Sequence, residues 1–199
     1  MAAAFGGKFR RLAGGEPEQM ERCFRWLLEQ VPSESIGGRR LLAIRDGKVA
    51  GTFSLEWQPS FTVSEKSESL RRTPLCAAFW RTLPWRDWRS LLGLLAGLGL
   101  LSYNPQAGEV YLADLAVVTE CRGQGIGKRL LAEAEKLAWS TWNKNRLSLH
   151  VSQSNAGARR LYEELGFAAA GVRSRTAERF LLGEPGWIYM VKKKGGSSA

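Results

Sequence analysis

The chain has 199 residues, 44% of them hydrophobic, which is enough to bury one sizeable core in a single globular domain. Its formal net charge of +10 favours an anionic partner such as nucleic acid, an anionic membrane surface or a polyanionic cofactor, although a generally basic surface explains it equally well. The three cysteines and the single histidine match neither a disulfide framework nor a histidine-rich metal centre, and widely spaced thiols fit a reducing, cytoplasmic location.

The N-terminal part of the chain predicts short strands and one helix. Apolar residues recur at helical spacing over 17–31, and Pro32 closes that segment. Asp46-Gly47 is typical of a tight hairpin turn, and it lies between two runs rich in strand-forming residues. The strands predicted here are 9–12, 41–45 and 49–55. The polar residues 58–73 predict a surface loop.

Residues 75–104 form an inserted segment rich in Trp and Leu. Its leucine-rich part, 90–101, is shorter than the roughly 20 apolar residues of a membrane span, so no transmembrane span is expected. The run is hydrophobic all round, which predicts a buried helix, a wall of the substrate pocket or the interface of a homodimer. The Trp/Arg part before it could instead lie on an anionic membrane surface. Basic runs with interleaved aromatic residues are not found, so no nucleic acid partner is expected.

The central stretch of the chain predicts a strand, a glycine-rich turn and a helix. The apolar run 110–118 has the length of a strand, and apolar residues recur at helical spacing over 130–138. The turn between them contains Gly123, Gly125 and Gly127. Glycines let a ligand approach the backbone, and the N–H groups at the helix start point towards it. This predicts a cradle for a phosphate or pyrophosphate, flanked by Arg122 and Lys128; the alternative is an ordinary strand–helix corner.

The C-terminal part predicts a further strand, a capped helix and a hairpin. Residues 146–152 alternate as a strand does, and Asn155 is a good N-cap for a helix that ends at Gly166. The segments 168–173 and 187–191 are predicted to pair as a final hairpin. A frayed basic tail is expected over 192–199.

Two stretches resemble motifs of the GNAT superfamily of N-acetyltransferases. The first, Arg122-Gly123-Gln124-Gly125-Ile126-Gly127, is similar to the acyl-CoA pyrophosphate loop, Arg/Gln-x-x-Gly-x-Gly/Ala. The second, Asn155-x-x-Ala158-x-x-Leu161-Tyr162 followed by Gly166-Phe167, is similar to Asn-x-x-Ala-x-x-Leu-Tyr-x-x-x-Gly-Phe. The resemblance covers 108–168 closely. It implies an α/β fold with a mixed, centrally splayed, mostly antiparallel sheet flanked by helices on both faces, as a single domain over 1–199.

The resemblance also implies the chemistry. Acetyl-CoA would be the acyl-donor co-substrate, no metal would be needed, and the acetyl group would pass to a primary amine by direct attack in a ternary complex. The central strand would bind the pantetheine arm through its backbone as an extra strand would, and Tyr162 would protonate the departing thiolate. Asn155 would hydrogen-bond the arm. The implied cofactor-binding residues are Leu115, Ala116, Val117, Arg122, Gly123, Gln124, Gly125, Ile126, Gly127, Lys128, Asn155, Ala158 and Tyr162.

The sequence leaves the general base and the acceptor open. In the ribosomal-protein N-terminal acetyltransferases of this superfamily a glutamate lies five positions before the motif asparagine; here His150 occupies that position, which argues against a ribosomal-protein substrate. A histidine near neutral pKa suits an ammonium acceptor, but a half-buried strand histidine would look the same. Asp114, assigned the same alternation as Leu112 and Ala116, could act through water instead. The rival hypotheses are a non-catalytic acyl-CoA-binding or regulatory module and a basic surface-binding protein.

Overall fold

The computed structural model describes residues 38–57, 103–174 and 185–195, together with Glu18 and Arg22. All the strands and helices below lie in one compact unit, Gly37–Gln58, Asn104–Arg175 and Glu184–Ala199, of the two into which the chain divides. The predictions for 9–12, for 58–73 and for nearly all of 17–31 and 75–104 lie outside the described residues. The single domain over 1–199 therefore stays a prediction.

The unit is built around one six-stranded sheet. Its strands are β1 (Gly38–Arg45), β2 (Lys48–Trp57), β3 (Glu109–Val117), β4 (Arg146–Ser152), β5 (Ala168–Arg173) and β6 (Trp187–Lys193). The spatial order is β1-β2-β3-β4-β6-β5, and only β3 and β4 run parallel. Two helices follow β3 and β4, α1 (Ile126–Lys136) and α2 (Ala156–Glu164), and α1 continues into a π-turn at Leu137–Thr141. The predicted mixed, mostly antiparallel sheet flanked by helices is confirmed.

Local turn chemistry places both hairpins. Asp46 and Gly47 have φ of 50° and 71°, as a tight turn between two strands requires, and β1 and β2 pair directly across them. The predicted final hairpin is also found, since β5 and β6 pair in antiparallel fashion.

Both helices pack on the same face of the sheet, because their apolar side chains join one core with alternate residues of the strands. On β4, Leu147, Leu149 and Val151 face this core, while the residues between them point to the opposite face. The buried core residues are Phe53, Leu55, Val110, Leu112, Leu130, Leu131, Ala134, Leu137, Ala138, Leu147, Leu149, Val151, Tyr162, Phe167, Ile188 and Met190. A helix on the opposite face stays a prediction.

We expect Leu131→Ala to lower the free energy of unfolding by about 2–5 kcal/mol, because Leu131 is fully buried between α1 and the sheet and its truncation leaves a cavity. Leu42→Ala is the matched control: Leu42 is 55% exposed on the edge strand, so its truncation should change stability by less than about 0.5 kcal/mol. Urea denaturation of both variants measures the difference. Equal losses of unfolding free energy in the two variants would contradict the assignment of the core to the face of the sheet that the helices cover.

A β-bulge reverses the side-chain alternation in the middle of β3. Ser54 pairs with Asp114 but Leu55 pairs with Leu112, so Ala113 is an extra residue in β3. Leu112 faces the core before the bulge, and Leu115 and Val117 face it after the bulge. Asp114 therefore lies on the face opposite Leu112, and the prediction that the two share one alternation was wrong.

The C-terminal tail begins later than predicted. β6 runs to Lys193, which pairs in register with Arg146, and Lys192 Nζ donates to Glu135 Oε1 of α1 at 2.7 Å. Lys194 Nζ donates to the Trp139 carbonyl at 3.1 Å. These contacts hold the first lysines of the predicted 192–199 tail against the domain, so placing its start at 192 was wrong.

Candidate functional site

The sheet opens between its two parallel strands. Glu109–Leu112 of β3 pair with Arg146–Leu149 of β4, and this pairing ends at Leu112 and Leu149. Beyond that point β3 stays paired with β2, and β4 stays paired with β6. The strands therefore diverge, which confirms the predicted central splay. The three residues predicted to contact a pantetheine arm, Leu115, Ala116 and Val117, lie on the edge of β3 that faces the gap.

A glycine-rich turn follows the gap. Gly123 and Gly125 have φ of 73° and 75°, in the left-handed region that favours glycine, and a Cβ added at either would meet no atom of the described residues within 4 Å. Gly125 caps α1, whose first intrahelical bond runs from the Arg129 N–H to the Gly125 carbonyl at 3.1 Å. The preceding N–H groups lie at the positive end of the helix. The turn thus has the backbone geometry of a phosphate cradle.

The charged groups around this turn differ from the predicted arrangement. Lys128 Nζ lies 2.9 Å from Glu164 Oε2 and links α1 to α2, while Arg122 Nε donates to the Val117 carbonyl at 3.3 Å. Gly127 faces α2, where a Cβ would lie in ordinary contact, at 3.4 Å, with a methyl group of Leu161. Both predicted cations are therefore engaged beside the turn.

A third cation, missed by the sequence analysis, reaches the turn from the β1–β2 hairpin. Arg45 Nη1 donates to Gln124 Oε1, and Gln124 Nε2 donates to the Glu120 carbonyl at 2.9 Å. No local signal identifies Arg45, because its contact depends on the register that brings the hairpin beside the end of β3.

Three of the predicted site residues belong to α2 and its cap. Asn155 and Ala158 lie at the start of the helix, and Tyr162 lies two turns beyond Asn155. Asn155 Oδ1 accepts the Ala158 N–H at 3.1 Å, so its side chain caps the helix as expected. The Tyr162 ring is buried and meets Phe167 edge-on, with ring centroids 5.9 Å apart. Burial raises the pKa of Tyr162 to about 12, which keeps the phenol protonated at neutral pH. Within the described ranges its hydroxyl has no hydrogen-bond partner.

The face of the sheet opposite the helices is polar beside the gap. Glu109 is fully buried, and its carboxylate accepts hydrogen bonds from the Gln106 N–H at 2.6 Å, the Tyr189 hydroxyl at 2.5 Å and the Ser148 hydroxyl. A buried carboxylate with three donors is satisfied. This network fixes β3, β4 and β6 relative to one another just before the strands diverge.

His150 lies on the same polar face, one residue beyond the last β3–β4 pair. Its Nδ1 is 3.1 Å from the Tyr111 hydroxyl, and its ring lies 5.1 Å from that of Tyr189. Burial, together with the positive charge of Arg173, lowers the pKa of His150 to about 4, although Glu109 opposes the shift. The pKa of Tyr111 is raised, mainly by burial and by the charge of Glu56. At neutral pH both groups are therefore uncharged.

Asp114 reaches the same face because of the bulge. Its Oδ2 lies 3.4 Å from Arg40 Nη2, and Arg40 Nε donates to Ser54 Oγ at 2.9 Å. Burial raises the pKa of Asp114, while Arg40 and Ser54 oppose the shift. The structure thus brings both candidate bases to one side of the gap, with the glycine turn and Tyr162 on the elements that flank the other side.

The described ranges contain neither a metal-binding cluster nor a membrane-spanning helix. Within these ranges, His, Cys, Asp and Glu side chains form no group of three that could hold a metal ion. None of the helices described here is long and apolar enough to cross a membrane.

Comparison with known proteins points to one family. Residues 90–167 match the model of the acetyltransferase (GNAT) family. An uncharacterized N-acetyltransferase of Methanocaldococcus jannaschii is 38% identical over 87 residues, which are 44% of this chain and 53% of that protein. The 5-NmdU N-acetyltransferase of Pseudomonas phage PaMx11 is 33% identical over 79 residues, 40% of this chain and 54% of that protein. The chain thus spans about half the length of these curated relatives.

Solved structures share the fold at low sequence identity. The IAA acetyltransferase from Bacillus cereus superposes with a TM-score of 0.51 at 14% identity, covering 79% of each chain. A streptothricin acetyltransferase from Bacillus anthracis, solved in complex with acetyl coenzyme A, gives a TM-score of 0.52 at 17% identity and covers 82% of this chain and 69% of that one. These likenesses show the fold alone.

Proposed function

This chain carries a domain of the GNAT superfamily, and on that premise we propose that it transfers an acetyl group from acetyl-CoA to a primary amine by direct attack in a ternary complex. The observation that carries the proposal is the gap between β3 and β4, which opens beyond Leu112 and Leu149 and leads to the glycine turn at Gly123–Gly125. One end of this site offers strand edges, and the other offers a phosphate cradle.

The described residues fit the cofactor. An extended pantetheine arm carries amide groups, and the edge of β3 at 115–117 offers it the hydrogen bonds of an added strand. The pyrophosphate matches the N–H groups of the turn and of the first turn of α1. Gly123 and Gly125 leave space for it, since no atom of the described residues lies within 4 Å of the position that a Cβ would take at either glycine.

Tyr162 is the proposed proton donor to the leaving sulfur. The thioester supplies an activated acetyl carbon, and a departing thiolate leaves more easily when a hydrogen bond stabilises it. Because burial raises the pKa of Tyr162 to about 12, the phenol carries its proton throughout the neutral range. Its hydroxyl is not occupied by another group of the described residues.

The acceptor amine is proposed to approach from the polar face, where His150 accepts its proton. With a pKa of about 4, the imidazole is unprotonated at neutral pH and ready to accept. It is nevertheless a weak base, because an alkyl ammonium with a pKa of about 10.4 is roughly six units less acidic than imidazolium in this site. The amine therefore reacts through its neutral fraction, and His150 accepts the proton that the nitrogen loses as the C–N bond forms and passes that proton on to water.

We expect kcat/KM to rise with pH up to the pKa of the amine. It should show no acid limb near 6.5, the pKa of an ordinary histidine. Protonation of His150 removes activity only as the pH falls through about 4. His150→Ala should lower kcat/KM more than Asp114→Asn does, because Asp114 is already paired with Arg40. The pH–rate profiles of both variants measure this. A larger loss in Asp114→Asn would transfer the role of base to Asp114.

A thiol-release assay with acetyl-CoA tests the function itself. Polyamines, amine-containing antibiotics and peptides with free N-termini are offered as acceptors, and we expect release of CoA to depend on one of these classes. Tight binding of acetyl-CoA without release for any acceptor would favour the rival hypothesis, a non-catalytic acyl-CoA-binding module. Cytoplasmic location and a homodimer stay predictions.

A further inference from the structure

Tyr111 and His150 meet across the two parallel strands, just where these strands begin to diverge. Tyr111 of β3 pairs with Ser148 of β4, and His150 lies two residues beyond Ser148 on the same face of the sheet. The Tyr111 hydroxyl is 3.1 Å from His150 Nδ1, and Tyr111 is buried whereas His150 is half-buried. Because Nδ1 is engaged with a buried side chain, a proton from the acceptor has to enter the ring at Nε2.

The hydrogen bond between these two residues can run in either direction, and the direction decides what His150 can do. If Tyr111 donates to Nδ1, the neutral ring carries its hydrogen on Nε2 and cannot accept a proton there. If Nδ1–H donates to the Tyr111 oxygen, Nε2 keeps its lone pair and can act as a base. The second direction requires the phenol hydrogen to point away from His150, which rotation about the C–O bond permits.

Charged groups of opposite sign lie on the two sides of this pair. Glu56 of β2 is the register partner of Tyr111, so a carboxylate lies on the side away from β4. Arg173 of β5 lies on the other side, beyond β4 and β6, on the same face of the sheet. After burial, which raises it most, the pKa of Tyr111 is raised by Glu56 and lowered by Arg173; burial and then Arg173 lower the pKa of His150. Both charges therefore act on the pair.

The field between these charges selects one direction of the hydrogen bond. Hydroxyl and N–H dipoles turn their hydrogens towards negative charge and their lone pairs towards positive charge. In this field the Tyr111 hydrogen points towards β2, and the Nδ1–H of His150 points towards the Tyr111 oxygen, so that the two dipoles align head to tail. The neutral ring then keeps its lone pair on Nε2.

The remaining titratable groups beside the pair, among the described residues, favour neither direction. Asp114 of β3 is paired with Arg40 of β1 at 3.4 Å, so their charges largely offset each other. Glu109 lies on β3 itself, between the two sides, and its carboxylate accepts three hydrogen bonds, one of them from Tyr189 of β6. The direction therefore follows from the two unlike charges on either side.

We propose that Tyr111 is a positioning residue, whose oxygen accepts the His150 Nδ1–H and so holds the neutral ring with its lone pair on Nε2. The catalytic consequence rests on the proposed function. As the C–N bond forms, an N–H bond of the attacking nitrogen breaks, its electron pair stays on nitrogen, and its proton moves to Nε2. The imidazolium keeps its hydrogen bond to Tyr111 and gives the Nε2 proton to water.

Nitrogen NMR of the free protein reads this tautomer directly. His150 is the one histidine of the chain, so isotope-labelled histidine reports on it alone. At neutral pH we expect the hydrogen on Nδ1 in the wild-type protein, and a mixture of both tautomers in Tyr111→Phe, which lacks the accepting oxygen. Tyr189→Phe is the matched control: its ring also lies beside His150, at 5.1 Å, but its hydroxyl donates to Glu109, so the tautomer should not change.

Kinetics test whether Tyr111 acts through His150. Tyr111→Phe should lower kcat/KM about tenfold, the factor that loss of one net hydrogen bond produces. In the His150→Ala background the same substitution should have no further effect, because no ring remains to be oriented. Equal losses in the two backgrounds would show a structural role for Tyr111 and overturn the proposal.

Two spectroscopic results would also overturn it. A wild-type ring with its hydrogen on Nε2 would show that Tyr111 donates to Nδ1 and that Nε2 cannot accept the proton. The Nδ1–H tautomer in both the wild-type protein and Tyr111→Phe would show that another group selects it. The tautomer is read without any substrate, so failure to release CoA with every acceptor would overturn the proposed function and leave the tautomer assignment standing.

Discussion

Replacing Gly125 by valine should weaken acetyl-CoA binding at least about 100-fold, because the new side chain occupies the open space above the turn where the pyrophosphate is proposed to bind. Charge-assisted hydrogen bonds contribute about 1.5–3 kcal/mol each, and loss of two is enough for this effect. Calorimetric titration with acetyl-CoA measures the affinity, and circular dichroism verifies that the variant is folded.

Two further variants separate blockage of the cradle from backbone strain. Gly125 has a φ of 75°, which costs a valine about 1–3 kcal/mol wherever it occurs. Gly195→Val is the matched control, since Gly195 has the same φ and open surroundings but follows β6, far along the chain from the turn. Gly125→Asn tolerates the left-handed backbone, so it should keep stability and still lose affinity. Unchanged affinity in folded Gly125→Val and Gly125→Asn proteins would refute the cradle.

Removal of one oxygen atom in Tyr162→Phe should lower turnover by about 10²–10⁴-fold, the range typical of general acid catalysis. Acetyl-CoA affinity and stability should hardly change, because the ring still packs against Phe167 and the hydroxyl has no partner in the described part of the chain. Single-turnover rates are the decisive measurement, since slow product release would hide the effect in steady state.

Tyr189→Phe provides the opposite pattern. Its hydroxyl donates to the buried Glu109, so the substitution should cost about 1–3 kcal/mol of stability. The chemical step should remain, because this hydroxyl serves the network that holds the strands together. Normal single-turnover rates in Tyr162→Phe would contradict the role of Tyr162 as proton donor and show that it is only a core residue.

The elements of the fold follow from local sequence where local chemistry decides them. Asp46-Gly47 accepts the positive φ of a tight turn, and Asn155 supplies the oxygen that caps α2. The spatial order of the strands does not follow in this way, because β6 is inserted between β4 and β5 through contacts remote in sequence. The GNAT resemblance, rather than periodicity, supplied the expectation of the mixed and splayed sheet.

The candidate site was predicted best where the backbone forms it. The glycine turn and the edge of β3 lie where the motif places them, since both depend on neighbouring residues of one segment. The charged side chains were predicted less well. Arg45 reaches the turn only through strand register, Lys128 turns to Glu164, and the low pKa of His150 reflects burial that no single strand reveals.

The same limit explains the wrong face assigned to Asp114. Alternation along a strand predicts its two faces only while each residue has one partner, and Ala113 interrupts that count. Alanine carries no signal of a bulge. The apolar run 110–118 therefore resembles one regular strand in sequence, although even-numbered residues face the core before the bulge and odd-numbered residues face it afterwards.

The extra residue in β3 also affects how this sequence can change over generations. Exchange of Ala113 for another small residue leaves the strand in register. Deletion of Ala113 would place Asp114 directly after Leu112, so Asp114 would stay on the face opposite the helices and Leu115 and Val117 would stay on the core face. The bulge is therefore the position at which this segment can lose one residue while both faces of β3 are kept, and we expect descendants of this sequence to differ in length there.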